Sequence, residues 1–175
     1  MIRLSEAHLD AIRTHGAATF PNECCGVLLG DVEGDHKTVR EVRALANVFE
    51  PSAEFETSVL PAGAEPGEMA EVGQERRYFV SPQEMFALMQ EERRTKRKIL
   101  GFYHSHPNHP ARPSAYDREW ASPWYTYIIV SVMDGRPADL TAWQLDEDRK
   151  AFSAETWEIL QSNEVDIEAR RREER

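Results

Sequence analysis

The spacing of hydrophobic residues changes several times along this chain, and each change marks an element. Leu9 and Ile12 recur at helical spacing behind a start signal. Ser5 is placed to cap a helix opening at Leu4-Ser5-Glu6, Leu4 to pack on Leu9 as a hydrophobic staple, and Gly16 to end the helix. Val27-Leu28-Leu29-Gly30 is an unbroken apolar run, the mark of a buried strand. Residues 30–36 read as a turn, and 37–46 alternate loosely, as a half-exposed strand does. Phe55-Glu56-Thr57 reads as a further short strand. Residues 59–77 carry Pro, Gly, Ala and Glu with no apolar period and read as a surface loop. A connection of that length is either functional or without fixed structure.

Order resumes at Arg77-Tyr78-Phe79-Val80. Ser81-Pro82-Gln83-Glu84 is a helix start, with a capping serine and a proline in the first turn. Met85, Phe86, Leu88 and Met89 follow on one face, which assigns them to the core. Residues 91–98 mix both charges and read as a solvated helix end, with basic residues at the negative end of the dipole. Residues 99–103 form a strand ending at His104 and His106. A helix is expected from Ser114 to about Ala121, stopped by Pro123, with Trp120 and Trp124 packing the corner. Residues 125–132 are β-branched and aromatic throughout, the best central strand in the chain. Asp134-Gly135 is a turn signal, 140–145 alternate as a neighbouring strand, and 156–160 add one more. Residues 168–175 are charged apart from Ala169 and read as a fraying helical tail.

Composition narrows this picture. A chain of 175 residues fits one domain, and 41% hydrophobic with 30% charged residues is an ordinary globular balance. No apolar run approaches the roughly 20 residues needed to span a bilayer, and the first six residues lack the apolar core of a secretion signal. A cytoplasmic location away from membranes is therefore expected. The formal net charge of −10 argues against a groove that tracks nucleic-acid phosphates. Cys24 and Cys25 are adjacent, and two neighbouring thiols make no disulfide framework; they read as reduced, buried, small hydrophobes.

The candidate chemistry lies in 101–117, G-F-Y-H-S-H-P-N-H-P-A-R-P-S-A-Y-D. Residues i and i+2 of a strand point to one side, so His104 and His106 can meet one metal ion. Asp117 supplies a third ligand if the proline-stiffened return brings the helix start back. Each half also has a plain structural reading: H-x-H as satisfied histidines, and S-x-x-D as a capping box. The two readings are compatible, and the combined spacing is far more specific than either half. His109 is assigned a solvent or supporting role, because a fourth protein ligand would close the site to water. Glu23, in P-N-E-C-C-G, is a carboxylate outside the ligand set that suits proton transfer; locally it is equally an exposed loop acid.

With Glu23 ahead of the G-V-L-L-G strand and H-S-H-P, R-P-S and D following, the chain resembles the JAMM (MPN-plus) metalloprotease family, pattern E…H-x-H-x(7)-S-x(2)-D. The likeness runs from the first helix to about Val132. Its phrases P-N-E-C-C-G-V-L-L-G and G-F-Y-H-S-H-P-x-H-P-A-R-P-S resemble the stand-alone bacterial branch. The resemblance implies an α/β fold in a single domain: a curved mixed sheet flanked by helices, laid out like the cytidine deaminases. It implies a catalytic domain over 1–165, with 59–77 as an inserted loop longer than the compact members need, and a charged tail over 166–175. It implies His104, His106 and Asp117 as ligands of one zinc ion, Glu23 as general acid and base, and Ser114 as an oxyanion donor. The implied reaction is hydrolysis at the C-terminus of a ubiquitin-like β-grasp protein. In this branch the substrate would be a sulfur carrier bearing a C-terminal cysteine, whose release serves cysteine biosynthesis. An isopeptidase acting on modified lysine is the rival within the class, and a non-catalytic MPN scaffold the rival outside it. A nucleobase deaminase would need a P-C-x-x-C thiolate pair that this chain lacks. Oligomeric state stays open, a homodimer included.

Overall fold

The computed structural model describes residues 1–50 and 73–160. Within them, three helices and eight strands follow one another along the chain. Strand β1 (Ile2–Ser5) leads straight into helix α1 (Glu6–Thr19), and strands β2 (Cys25–Glu33) and β3 (His36–Leu45) form a hairpin. Helix α2 (Pro82–Arg94) precedes β4 (Lys98–Pro107), and α3 (Ala115–Trp120) precedes β5 (Thr126–Met133). Strands β6 (Arg136–Leu145), β7 (Phe152–Ala154) and β8 (Trp157–Leu160) complete the order.

All eight strands join one mixed sheet in the order β7-β6-β5-β4-β2-β3-β1-β8. Its centre is the antiparallel β4–β2 pair, with β5 parallel to β4 on the other side. Strands β7 and β8 lie at opposite edges, yet only Glu155 and Thr156 separate them in sequence. The sheet must therefore curl until its edges nearly meet. The link is fastened on both sides: the Glu155 N–H donates to the Ala142 carbonyl, and the Ile2 N–H to that of Thr156.

Alternation sends neighbouring residues of β2 and β4 to opposite faces. Leu28 and Leu100 join Leu9 and Ile12 of α1, with Ile128 and Val130, in the larger core cluster. Val27, Leu29 and Ile99 join Leu88 of α2 in a second one. Both faces are covered, which is why β2 reads as a continuous apolar run rather than an alternating one.

Several elements differ from the sequence reading. Strand β2 runs on to Glu33 through most of the expected 30–36 turn, and β7 has no counterpart in that reading. Ile2–Ser5 is a strand between β3 and β8, although Ser5 does cap α1, accepting from the His8 N–H. Gly16 does not end α1; it is buried inside it, where an added Cβ would lie 3.1–3.2 Å from Val132 and Val130 side chains. That glycine lets the helix lie close on the sheet. On α2 only Leu88 is buried, while Phe86 is 62% and Met89 45% exposed. Trp124 packs only in part: it is 46% exposed, with its ring edge-on to Tyr125 at 5.4 Å and the Lys37 ammonium 4.6 Å from the ring centre.

Other readings hold. Ser81 caps α2 with Pro82 in its first turn, and Ser114 caps α3. Asp134 and Gly135 both have positive φ and make the β5–β6 turn. Cys24 and Cys25 are free and buried, and burial pushes the Cys24 thiol up to about 11. The expected strand at 55–57, most of the 59–77 loop, and the 165/166 boundary with its tail lie outside the described residues. Among those described, no helix is long and apolar enough to cross a membrane.

Candidate metal centre

Strand β4 runs through both histidines to Pro107, not merely up to them. Parallel pairing sets His104 against Ile129 and His106 against Ser131, which fixes the register of the pair. The i, i+2 spacing turns both rings to one side. Their Nε2 atoms are 3.0 Å apart. Asp117 arrives from the first turn of α3, with Oδ1 3.2 Å from His104 Nε2 and Oδ2 3.5 Å from His106 Nε2.

The capping box and the ligand geometry coexist. The Ser114 hydroxyl accepts from the Asp117 N–H at 3.1 Å and donates to Asp117 Oδ2 at 2.7 Å. The Ser114 N–H donates to the same oxygen at 2.6 Å. Cap bonds thus hold the Asp117 carboxylate by one oxygen and leave Oδ1 toward His104. The ring of His104 is buried, stacks on Tyr78 at 4.7 Å and leaves its Nδ1 unpartnered. His106 Nδ1 lies 2.9 Å from the Pro110 carbonyl, so it carries the proton and frees Nε2 as a lone-pair donor.

This set fits a metal ion. Two donors about 2.1 Å from a shared tetrahedral ion lie about 3.4 Å apart, and the three separations here bracket that value. Among the described residues this is the group of metal-binding type, its donor atoms all within 4.8 Å of one another. Electrostatics agree. Burial works against ionisation of Asp117, yet the imidazoles, His104 first, hold its carboxyl well below the usual range. Burial lowers His104, with Asp117 opposing. His106 also loses to burial, but Asp117 outweighs it and raises the ring above its ordinary value.

Glu23 stands opposite. It lies in the segment between α1 and β2, and its side chain is buried. Burial pushes its carboxyl up to about 8; His106 pulls against that rise, Asp117 adds to it, and Arg77 and Arg76 oppose it. Two contacts hold its backbone: its N–H donates to the Gln74 carbonyl at 2.7 Å, and its carbonyl accepts from Asn47 Nδ2 at 3.0 Å. Asn47 Nδ2 also donates to the Arg77 carbonyl, while Asn47 Oδ1 accepts from the N–H groups of Phe49 and Phe79. Gln74 Nε2 in turn donates to the carbonyls of Asn47 and Phe49.

Glu23, His106, His109 and Ser114 share one cavity of about 220 Å³ with Arg76, Arg77, Pro110 and Arg112. A larger apolar groove, with Tyr78, Phe79, Met89 and Trp120 in its wall, reaches Asp117 from the other side. The structure therefore brings together all five residues singled out from sequence, and leaves His109 exposed beside them. Sequence reasoning missed Asn47, Gln74, Tyr78 and the three arginines. A lone Asn after a strand carries no signal, and the arginines lie at the ends of segments that read as loop.

The family model for prokaryotic homologs of the JAB domain matches residues 5–146. A desampylase from Haloferax volcanii is 35% identical over 149 residues, 81% of this chain and 86% of that protein. A protein from Desulfitobacterium hafniense, solved in solution, superposes with a TM-score of 0.67 at 24% identity, over 94% of this chain and 98% of its own. A JAB1/MPN domain protein from Archaeoglobus fulgidus superposes with a TM-score of 0.50 at 17% identity, over 91% of this chain and 99% of its own.

Proposed function

The chain belongs to the prokaryotic homologs of the JAB domain, and from that premise we propose that it is a zinc-dependent hydrolase of peptide or isopeptide bonds at the C-terminus of a ubiquitin-like β-grasp protein. The observation that carries this reading is the open three-ligand set, His104, His106 and Asp117, with a buried carboxyl, Glu23, sharing the cavity in front of it. The finer form is release of cysteine from a sulfur-carrier protein. The likeness to a desampylase supports the isopeptide form, hydrolysis of a modifier from lysine.

Bound by the triad, zinc would supply a Lewis acid that polarises the scissile carbonyl and acidifies a water. The chain's own residues do the rest. Burial above all holds the Glu23 carboxyl at about 8, so its base role belongs to the carboxylate form, which accepts a proton from the attacking water and delivers it to the leaving amine. The Ser114 hydroxyl has one proton and spends it on Asp117, so donation to the oxyanion needs that hydroxyl to turn. When it does, such a donor contributes about 3 kcal/mol to the transition state.

The test is a mass-spectrometric cleavage assay on a β-grasp carrier ending in Gly-Gly-Cys, with zinc-loaded and chelator-stripped protein. Zinc-dependent loss of one cysteine is expected. Glu23→Gln should reduce turnover by about 10²–10⁴-fold while zinc stays bound. Protein that holds no stoichiometric zinc would instead be a scaffold. Zinc-loaded protein that cleaves only the lysine-linked substrate would move the reading to the isopeptide form.

A further inference from the structure

This is an acidic chain, net −10, but the cavity before Glu23 is lined by Arg76, Arg77 and Arg112. Among the described residues no carboxylate pairs with any of the three. Arg77 is also fixed in place. Its guanidinium lies 4.5 Å from the Tyr116 ring centre, Nη1 donates to the Arg76 carbonyl at 2.7 Å, and Asn47 clips its own carbonyl. Its Nε is buried without a hydrogen-bond partner. A buried donor left unpaired costs stability, and an oriented guanidinium suits a carboxylate.

The leaving group decides which anion reaches these arginines. Glu23 is the group that hands a proton to the leaving nitrogen, so that nitrogen, and whatever is bonded beyond it, belongs on the Glu23 side of the triad, in this cavity. In a peptide that ends one residue later, the nitrogen is followed by Cα and then the α-carboxylate. In a lysine isopeptide it is followed by four uncharged methylenes. Resting on the hydrolase reading above, we infer that Arg76, Arg77 and Arg112 form a recognition site for the α-carboxylate of a single C-terminal residue. The protein then removes one terminal amino acid from its substrate, in preference to cleaving lysine isopeptides. The reaction balances as plain hydrolysis. The C–N bond breaks, the water oxygen stays on the newly exposed glycine carboxylate, and a water proton passes through Glu23 to the departing amine.

The experiment compares three substrates on the zinc-loaded full chain: the carrier ending in Gly-Gly-Cys, the same carrier with a C-terminal amide, and the carrier linked to a lysine side chain. Binding of the first two to Glu23→Gln protein is measured alongside by fluorescence anisotropy. The acid is expected to exceed the amide at least tenfold in kcat/KM and in affinity. Arg112→Gln, at an exposed position, and Arg77→Lys should each shrink that ratio toward one, acting on the acid and sparing the amide. Equal cleavage and equal binding of acid and amide overturn the inference and leave the hydrolase reading intact. Cleavage of the lysine-linked substrate alone overturns it too. If no substrate is cleaved, the hydrolase reading falls, and the acid-to-amide ratio in binding still decides the carboxylate site.

Discussion

The two walls of the central cavity are built in opposite ways. One wall comes from a single stretch, 104–117: a strand aims two imidazoles, and a capping box returns one carboxylate to them. The other wall is assembled from distant segments, with Glu23 held by Gln74 and Asn47, and Asn47 in turn holding Arg77 and Phe79. Local geometry makes the first; tertiary hydrogen bonds make the second. The first should therefore fail through loss of its ligands, and the second through loss of position.

The sharpest way to break this comparison lies on the local wall. Asp117→Ala removes a charged donor and the partner of the Ser114 cap together. Metal content should fall below stoichiometric, and cleavage by about 10³-fold or more. Elemental analysis of purified protein reads the first and the carrier assay the second. A variant that kept one zinc per chain would show that the wall does not depend on this carboxylate.

The second test addresses the assembled wall. Asn47→Ala removes both amide donors and the acceptor of two backbone N–H groups. Metal content should stay at one per chain, because no triad residue bonds to Asn47. Turnover should fall by about 10–100-fold as Glu23 loses its place, and stability by about 1–3 kcal/mol for the polar groups left unpaired. Denaturant titration and the cleavage assay measure the two effects. Normal turnover in a folded variant would mean that Glu23 is held without this clip.

The same contrast explains what could be read from sequence. The H-x-H spacing, the capping box at Ser114 and the apolar run at 27–29 are periodic or local, so their geometry follows from residue spacing alone. Glu23 was reached through family resemblance, since nothing near it in sequence brings it to His106. Asn47 and Arg77 were invisible because their partners come from across the fold. The α2 stripe misled for a related reason: periodicity shows that Met85, Phe86, Leu88 and Met89 share a face, but not how far the neighbouring layer extends. Here that layer covers Leu88 and stops, leaving Phe86 exposed and Met89 exposed along the apolar groove. Gly16 is the reverse case, a helix breaker by propensity that the close approach of α1 to β5 requires.

The smallest effect concerns what the assembled wall costs the metal-free protein. The Glu23 carboxyl sits at about 8 in the fold, against 4.5 in an unrestrained chain, chiefly because it is buried. Between those two values the folded protein keeps a proton that the unfolded chain has released. The folded state then binds more protons, so stability falls as pH rises through this window. Glutamine has no proton to lose and escapes the penalty. Metal-free Glu23→Gln should match wild type near pH 4.5 and become the more stable protein by pH 8, on the order of 1–2 kcal/mol once relaxation around the buried group is included. Melting temperatures of the two proteins across pH 5–8 measure it, and parallel curves would mean that Glu23 ionises normally in the fold. A gap that widens with pH would show that the residue best placed to move a proton is also held at a cost to the fold. His104, His106 and Asp117 offset one another's charge within one stretch, whereas Glu23 is held by backbone contacts, and His106, Arg77 and Arg76 offset its burial only in part.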